Sequence, residues 1–183
     1  MTQSPFSLVV IDMQEVFRHP ESQWHVPRYA TAETHIEEIL RTHPEHVVWT
    51  RFVRDPLETG SWREYYERWD KCREDTDSQV WNLTMPVEPH HEVLTLPTFS
   101  KWGDALANLT DASQRIVICG VATDCCVLST VLGAVDAGKP VTVVSDACAG
   151  VTDEAHDQTL SLLSLLHPMV EIVTTEQFLR VLH

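Results

Sequence analysis

The sequence predicts an α/β fold, a mostly parallel sheet with helices on both faces. Three observations carry this. Short apolar, β-branched runs alternate with segments of helical periodicity along almost the whole chain. The run Ile116-Val117-Ile118-Cys119 is too short for a core helix and apolar throughout, as a strand buried on both faces reads. Reactive side chains follow such runs, at the carboxyl ends where sheets of this kind place their sites.

The elements follow in order. Phe6 to Ile11 is a first strand, and the acid that ends it, Asp12, is either a helix cap or a site group. Tyr29 to Thr42 is an amphipathic helix with Ile36, Ile39 and Leu40 inward. Val47 to Thr50 is a second strand, running into Arg51-Phe52-Val53-Arg54. Between Leu57 and Pro89 the texture changes to aromatics and charge without a strand signal. There Trp62, Tyr66 and Trp69 fall at helical spacing, as a short helix or lid packed on the sheet, with one or two rings turned toward a substrate. Glu92 to Leu96 is a third strand, stopped by Pro97, and Lys101 to Leu109 reads as helical.

Then comes the organising stretch. After the strand at 116–119, Gly120 breaks the run, Thr123 and Asp124 offer N-cap chemistry, and Val127, Leu128, Val131, Leu132 and Val135 recur at helical spacing before Gly138. Cys126 thus falls in the first turn of a helix directly after a central strand. A helix N-terminus lowers a thiol's pKa and attracts anions, so a nucleophilic cysteine is expected here; the plain alternative is a structural core cysteine. Val141 to Val144, a helix capped by Thr152 or Asp153 and running to about Leu166, a strand at 170–173 and a helix at 175–182 complete a single domain over residues 1–183.

Composition bounds the function. The chain has 183 residues, 43% apolar and 22% charged, with a formal charge of −14, which argues against nucleic acid or an anionic membrane as partner. No apolar run approaches a membrane span, and the N-terminal residues lack a basic stretch, so a cytoplasmic protein is expected. Five cysteines without CxxC spacing argue against a disulfide framework or a zinc site; Cys119 and Cys148 read as packing residues, and Cys125-Cys126 makes a poor redox pair.

The motifs L-V-V-I-D-M-Q-x-x-F at 8–17, G-V-A-T-D-C-C-V-L-S-T-V-L-G-A-V-D-A-G at 120–138 and V-V-S-D-A-C at 143–148 resemble those of the isochorismatase-like cysteine hydrolases. That superfamily includes nicotinamidases and N-carbamoylsarcosine amidohydrolases. The resemblance implies a three-layer αβα fold, an Asp-Lys-Cys triad with Asp12 as base and Cys126 as nucleophile, and a cis peptide at Val121–Ala122. It also implies an oxyanion hole from Ala122 and Cys126, a homo-oligomer, and hydrolysis of a small-molecule amide-type C–N bond without a cofactor. Two departures stand out. The family's lysine spacing from Ser100 lands on Leu96, which leaves Lys101 as the triad cation; and the Asp-x-His metal pair of nicotinamidases is replaced by Phe52-Val53-Arg54, so no metal is expected. Gln14, Phe17, Arg54, Trp62 and Tyr66 are the expected substrate contacts, with Arg51 or Arg54 either binding a carboxylate or forming a surface ion pair. Vinyl-ether hydrolysis of the isochorismatase type, or an inactive member that binds a ligand or partner, are the alternative readings.

Overall fold

The computed structural model describes residues 6–182. Residues 1–5, part of the N-terminal stretch that lacks a basic segment, lie outside them. Six strands form one sheet, β1 (Phe6–Ile11), β2 (Val47–Phe52), β3 (Glu92–Leu96), β4 (Arg115–Val121), β5 (Val141–Ala149) and β6 (Val170–Val173), in the order β3-β2-β1-β4-β5-β6. Every pairing is parallel. The chain therefore moves outward from β1 to β3 and then returns to start the other half at β4. Asp12, at the end of β1, and the turn after β4 flank the point where the order reverses, the crevice in which such sheets bind ligands.

Crossovers between parallel strands are right-handed, so the two directions of travel put helices on opposite faces. On one lie α1 (Glu15–Arg18), α2 (Tyr29–Leu40) and α7 (Thr175–Leu182), with α2 against β4, β5 and α7. On the other lie α4 (Asp104–Leu109), α5 (Leu128–Asp136) and α6 (Asp153–Ser164); α3 (Trp62–Arg68) sits in the β2–β3 connection. This is a three-layer α/β sandwich. β1 and β4 are almost wholly buried, which is why their sequences are apolar without alternation, whereas β3 is an edge with a largely exposed pattern.

Several boundaries differ from the sequence reading. Strand β4 runs two residues past Cys119 and β5 extends to Ala149, because their ladder resumes at Gly120–Cys148 after an irregularity between Ile118 and Gly120. Helix α4 begins only at Asp104, since Lys101 is held in the preceding turn. Neither Thr123 nor Asp124 caps α5: Thr123 Oγ1 bonds His156 Nδ1 at 2.8 Å and Asp124 Oδ1 accepts the Val151 N–H. In α6, by contrast, Thr152 is the N-cap, accepting from Ala155 N at 3.0 Å.

Gly120 fixes how closely the two central strands meet. Its φ is +112°, and a Cβ there would lie 2.1 Å from the carbonyl oxygen of Ile11. Only glycine permits both the torsion and the approach, and the contact falls one residue before Asp12.

Candidate active site

Asp12 ends β1 with φ +47°, a left-handed torsion that short polar side chains tolerate. Its carboxylate is fully buried and oriented from two sides. Thr50 Oγ1, on the neighbouring strand β2, donates to Oδ1 at 2.6 Å and accepts from the Asp12 N–H at 3.2 Å. The other oxygen, Oδ2, lies 3.0 Å from Lys101 Nζ, out of line for a hydrogen bond, and has no hydrogen-bond donor. A buried carboxylate with one oxygen locked and the other open to a proton is the arrangement a general base needs.

Lys101 is also fully buried. Its ammonium donates to Thr98 O at 2.7 Å, sits beside Asp12, and lies 4.9 Å from the centre of the Phe52 ring. The side chain arrives from the turn after β3 rather than from the strand, so Leu96, paired with Phe52 at the sheet edge, is bypassed. Thr130 on α5 pins that turn: its hydroxyl accepts the Lys101 N–H at 2.9 Å and donates to Cys126 O at 2.7 Å. One threonine thus ties the lysine's backbone to the cysteine's. Gly133, a turn further along α5, makes room for the same docking, since a Cβ there would lie 2.9 Å from Trp102 Cβ.

Cys126 lies in a wide π-type turn, Thr123–Val127, between β4 and α5, in which Ala122 O accepts from the N–H groups of both Cys125 and Val127. Such turns within helices occur often at functional sites. The peptide Val121–Ala122 is cis. Contrary to the expectation from a helix start, the thiol's pKa is pushed well above the ordinary cysteine value. A hydrogen bond with Cys125 is the largest cause, followed by burial and the charge of Asp12, with Lys101 opposing. Its electrostatic neighbours include the two buried charges, Asp12 and Lys101. Cys119 and Cys148 are buried packing residues; burial pushes Cys148 up to about 12.

Over the turn opens a cavity of about 580 Å³, lined by Ala122, Cys125 and Cys126 on the floor and by Phe17, Trp24, Phe52, Tyr65, Trp69 and Phe99 on the walls. Asp12 and Lys101 lie beneath that floor. Of the expected substrate contacts, Phe17 lines the cavity; the other four are placed elsewhere, and each is a correction. Gln14 is fully buried and clamps backbone, taking the Phe52 N–H and donating to Phe52 O and Trp81 O. Arg54 is consumed by Glu58, at 2.5 Å, by Glu74 O, and by the Tyr66 ring. Tyr66 is itself in the core, and Trp62 stands behind the wall, 4.8 Å from Phe99 centre to centre. Arg51 bonds Thr95 on β3. Glu58 also binds Arg73, whose guanidinium holds the carboxylate below its usual range. The 57–89 segment is thus tied down by ion pairs behind an aromatic wall. Sequence reasoning missed Trp24, Tyr65, Phe99 and Thr130; the chemistry of Thr130, four residues after Cys126 on one helix face, was the one available signal.

Among the described residues no three His, Cys, Asp or Glu side chains cluster to hold a metal ion. These residues do not fit a metal ion. Among the described residues no helix is long and apolar enough to cross a membrane.

Buried acid, buried ammonium and cysteine thus meet at the switch point of a parallel three-layer α/β sheet. The chain belongs to the isochorismatase domain family, whose pattern matches residues 7–177. It is a family of hydrolases. No curated protein matches the chain. Among solved structures it is similar to a cysteine hydrolase from Pseudomonas syringae pv. phaseolicola 1448A, with a TM-score of 0.83 at 22% identity over 96% of this chain and 91% of that one. An isochorismatase-like hydrolase from Alkaliphilus metalliredigens aligns with TM-score 0.80 at 18% identity, covering 98% and 100%. A pyrazinamidase of Pyrococcus horikoshii in complex with zinc aligns with TM-score 0.75 at 24% identity, covering 92% and 98%.

Proposed function

We propose that the protein is an amidohydrolase that cleaves a small-molecule C–N bond through a thioester on Cys126, with Asp12 as base and Lys101 as the third member of the triad. The observation that carries this is the fully buried Asp12–Lys101 pair, 3.0 Å apart, beneath a cavity whose floor is Cys126. A buried ion pair is weak evidence for stability as such, because desolvation offsets its attraction. Its place under a buried thiol points to chemistry.

The raised thiol pKa supports a route in which the proton leaves sulfur only on attack. Cys126 stays protonated until substrate binds, and Asp12 Oδ2 takes the Sγ proton as sulfur attacks the carbonyl carbon. The new oxyanion is held by the N–H groups of Ala122 and Cys126. Lys101 keeps Asp12 anionic beforehand and offsets charge as the tetrahedral adduct forms. Collapse of the adduct breaks the C–N bond, with Asp12 returning the proton to the leaving amine. Water, deprotonated by Asp12, then attacks the thioester; an acid is released and the thiol restored.

Ammonia release across a panel of small primary amides, ureas and carbamoyl compounds tests the reading. At least one compound should turn over, with Cys126→Ala and Asp12→Asn each lowering the rate by several orders of magnitude. Full turnover in Cys126→Ala would sink it and favour vinyl-ether hydrolysis.

A further inference from the structure

The segment from Gly150 to His156, which joins β5 to the first turn of α6, grips the turn that carries Cys126 at two points. His156, only 9% exposed, meets Thr123 Oγ1 through its Nδ1 at 2.8 Å, and Thr123 is fully buried. Asp124 Oδ1 accepts the Val151 N–H at 2.9 Å. The two segments lie so close that Gly150 has no room for a side chain: a Cβ there would stand 2.7 Å from Asp124 Oδ1 and 3.1 Å from His156 Cβ. Burial holds the imidazole below its usual pKa, so Thr123 faces a neutral ring. The hydrolytic steps themselves use neither His156 nor Thr123.

The grip falls on the one irregular stretch between β4 and α5. In an α-helix the Ala122 carbonyl would take the Cys126 N–H, four residues on. Here it takes the N–H groups of Cys125 and Val127, on either side of Cys126. Turns of this width are rare and occur as single insertions, so contacts from outside the helix decide whether one persists. Thr123 and Asp124 open the turn, and both side chains are bonded to segment 150–156 rather than to the helix they precede. Released from Ala122, the Cys126 N–H is available to a ligand oxygen, and its direction depends on how the turn is held.

We propose that His156 is a positioning residue for the Cys126 turn: bonded to Thr123, it keeps the turn wide and so aims the Cys126 N–H at the oxygen of a carbonyl adduct. The adduct half rests on the Cys126 hydrolase reading; the grip on the turn does not.

The test uses benzaldehyde and benzyl alcohol, both flat enough for the ring-lined cavity, as protectants of Cys126 against iodoacetamide in the intact protein, located by peptide mass spectrometry. With benzaldehyde, Sγ bonds to the aldehyde carbon, the carbonyl π pair moves onto oxygen and the thiol proton passes to Asp12; nothing leaves. Benzyl alcohol fills the cavity without forming an adduct. Benzaldehyde should protect the parent at lower concentration than the alcohol. Thr123→Val, close in volume but without the hydroxyl, and His156→Leu should each weaken benzaldehyde at least about tenfold, since a misdirected oxyanion donor costs a good part of the 10²–10³ that a deleted one does. Protection by benzyl alcohol and the unprotected alkylation rate should stay within about twofold, which a merely structural loss would not spare. Thr123→Ser should restore the parent, and the double variant Thr123→Val/His156→Leu should be no worse than either single, because both remove the same bond. Benzaldehyde no better than the alcohol in the parent overturns the proposal. So does benzaldehyde protection unchanged in Thr123→Val and His156→Leu, or a parallel fall with both compounds. The expected aldehyde pattern without hydrolysis of any amide would instead overturn the amidohydrolase reading while the role of His156 stands.

Discussion

Replacing Lys101 by methionine removes the ammonium and keeps most of the side chain's volume. Asp12 then remains fully buried, with Thr50 as its one side-chain donor and no counter-charge. Breaking a buried pair from one side typically destabilises by about 3–5 kcal/mol, because the surviving charge is uncompensated. For a chain of this length that is a fall in midpoint temperature of about 6–20 °C. The double variant Lys101→Met/Asp12→Asn discriminates the cause. Asparagine keeps an oxygen for the Thr50 hydroxyl but carries no charge, so at least half of the lost stability should return while hydrolysis stays absent. Urea unfolding of the four proteins followed by circular dichroism closes the cycle. A single variant within about 1 kcal/mol of the parent would show that the pair is open to solvent screening. A double variant no more stable than the single would show that packing of the lysine stem, rather than charge, is what matters.

Four further outcomes follow from the same geometry. With its pKa raised by the Cys125 hydrogen bond, burial and Asp12, Cys126 should alkylate slowly at neutral pH in the empty enzyme and accelerate only above the ordinary thiol range; Asp12→Asn should move that profile to lower pH even as turnover is lost. Thr130→Val should cut turnover sharply, and Thr130→Ser, which keeps both hydrogen bonds, should restore most of it; equal losses in the two would remove Thr130 as the tie between Lys101 and Cys126. Gly120→Ala, with its Cβ driven into the Ile11 carbonyl, should lose more than about 3 kcal/mol or fail to fold, as measured by soluble yield and thermal melting. Because Arg73 and then Arg54 hold the Glu58 carboxylate below its usual pKa, their contribution is complete above the carboxylate range and is lost as pH falls through it; Glu58→Gln should flatten that acid limb in a hydrogen-exchange comparison of the 54–74 region.

The fold was legible where the chain's own chemistry is unambiguous. Doubly buried strands have no polar face, so β1 and β4 show as unbroken apolar runs, and alternation with helices implied parallel pairing. Asp12 could be placed because it stands immediately after such a run, and Cys126 because it falls in the turn between such a run and a helical pattern. Lys101 could be chosen only as the nearest cation. Its burial depends on a contact with Thr130 twenty-nine residues away, which no local pattern encodes. The substrate contacts fared worst for the same reason. Gln14, Arg54 and Tyr66 look like site residues by type, but their partners Phe52, Trp81 and Glu58 are supplied by folding, and those partners consume them. Trp24 and Tyr65 carry no marker in sequence that separates a wall from a core. The thiol pKa is raised rather than lowered because the Cys125 hydrogen bond, burial and a neighbouring carboxylate outweigh the field of a helix end.

The docking of the lysine turn on α5 separates the site's charge balance from the integrity of the sheet margin. A cation mounted on an edge strand would be lost each time that strand frayed from its single neighbour, since such margins open at far lower free energy than the core. Here β3 is the exposed margin, and Lys101 is fastened beyond it to α5, the helix that follows the Cys126 turn. Amides of β3 can exchange by local opening while acid, ammonium and thiol remain assembled, so the robustness of the site is set by the β1–β4–α5 centre and not by the weakest strand of the sheet.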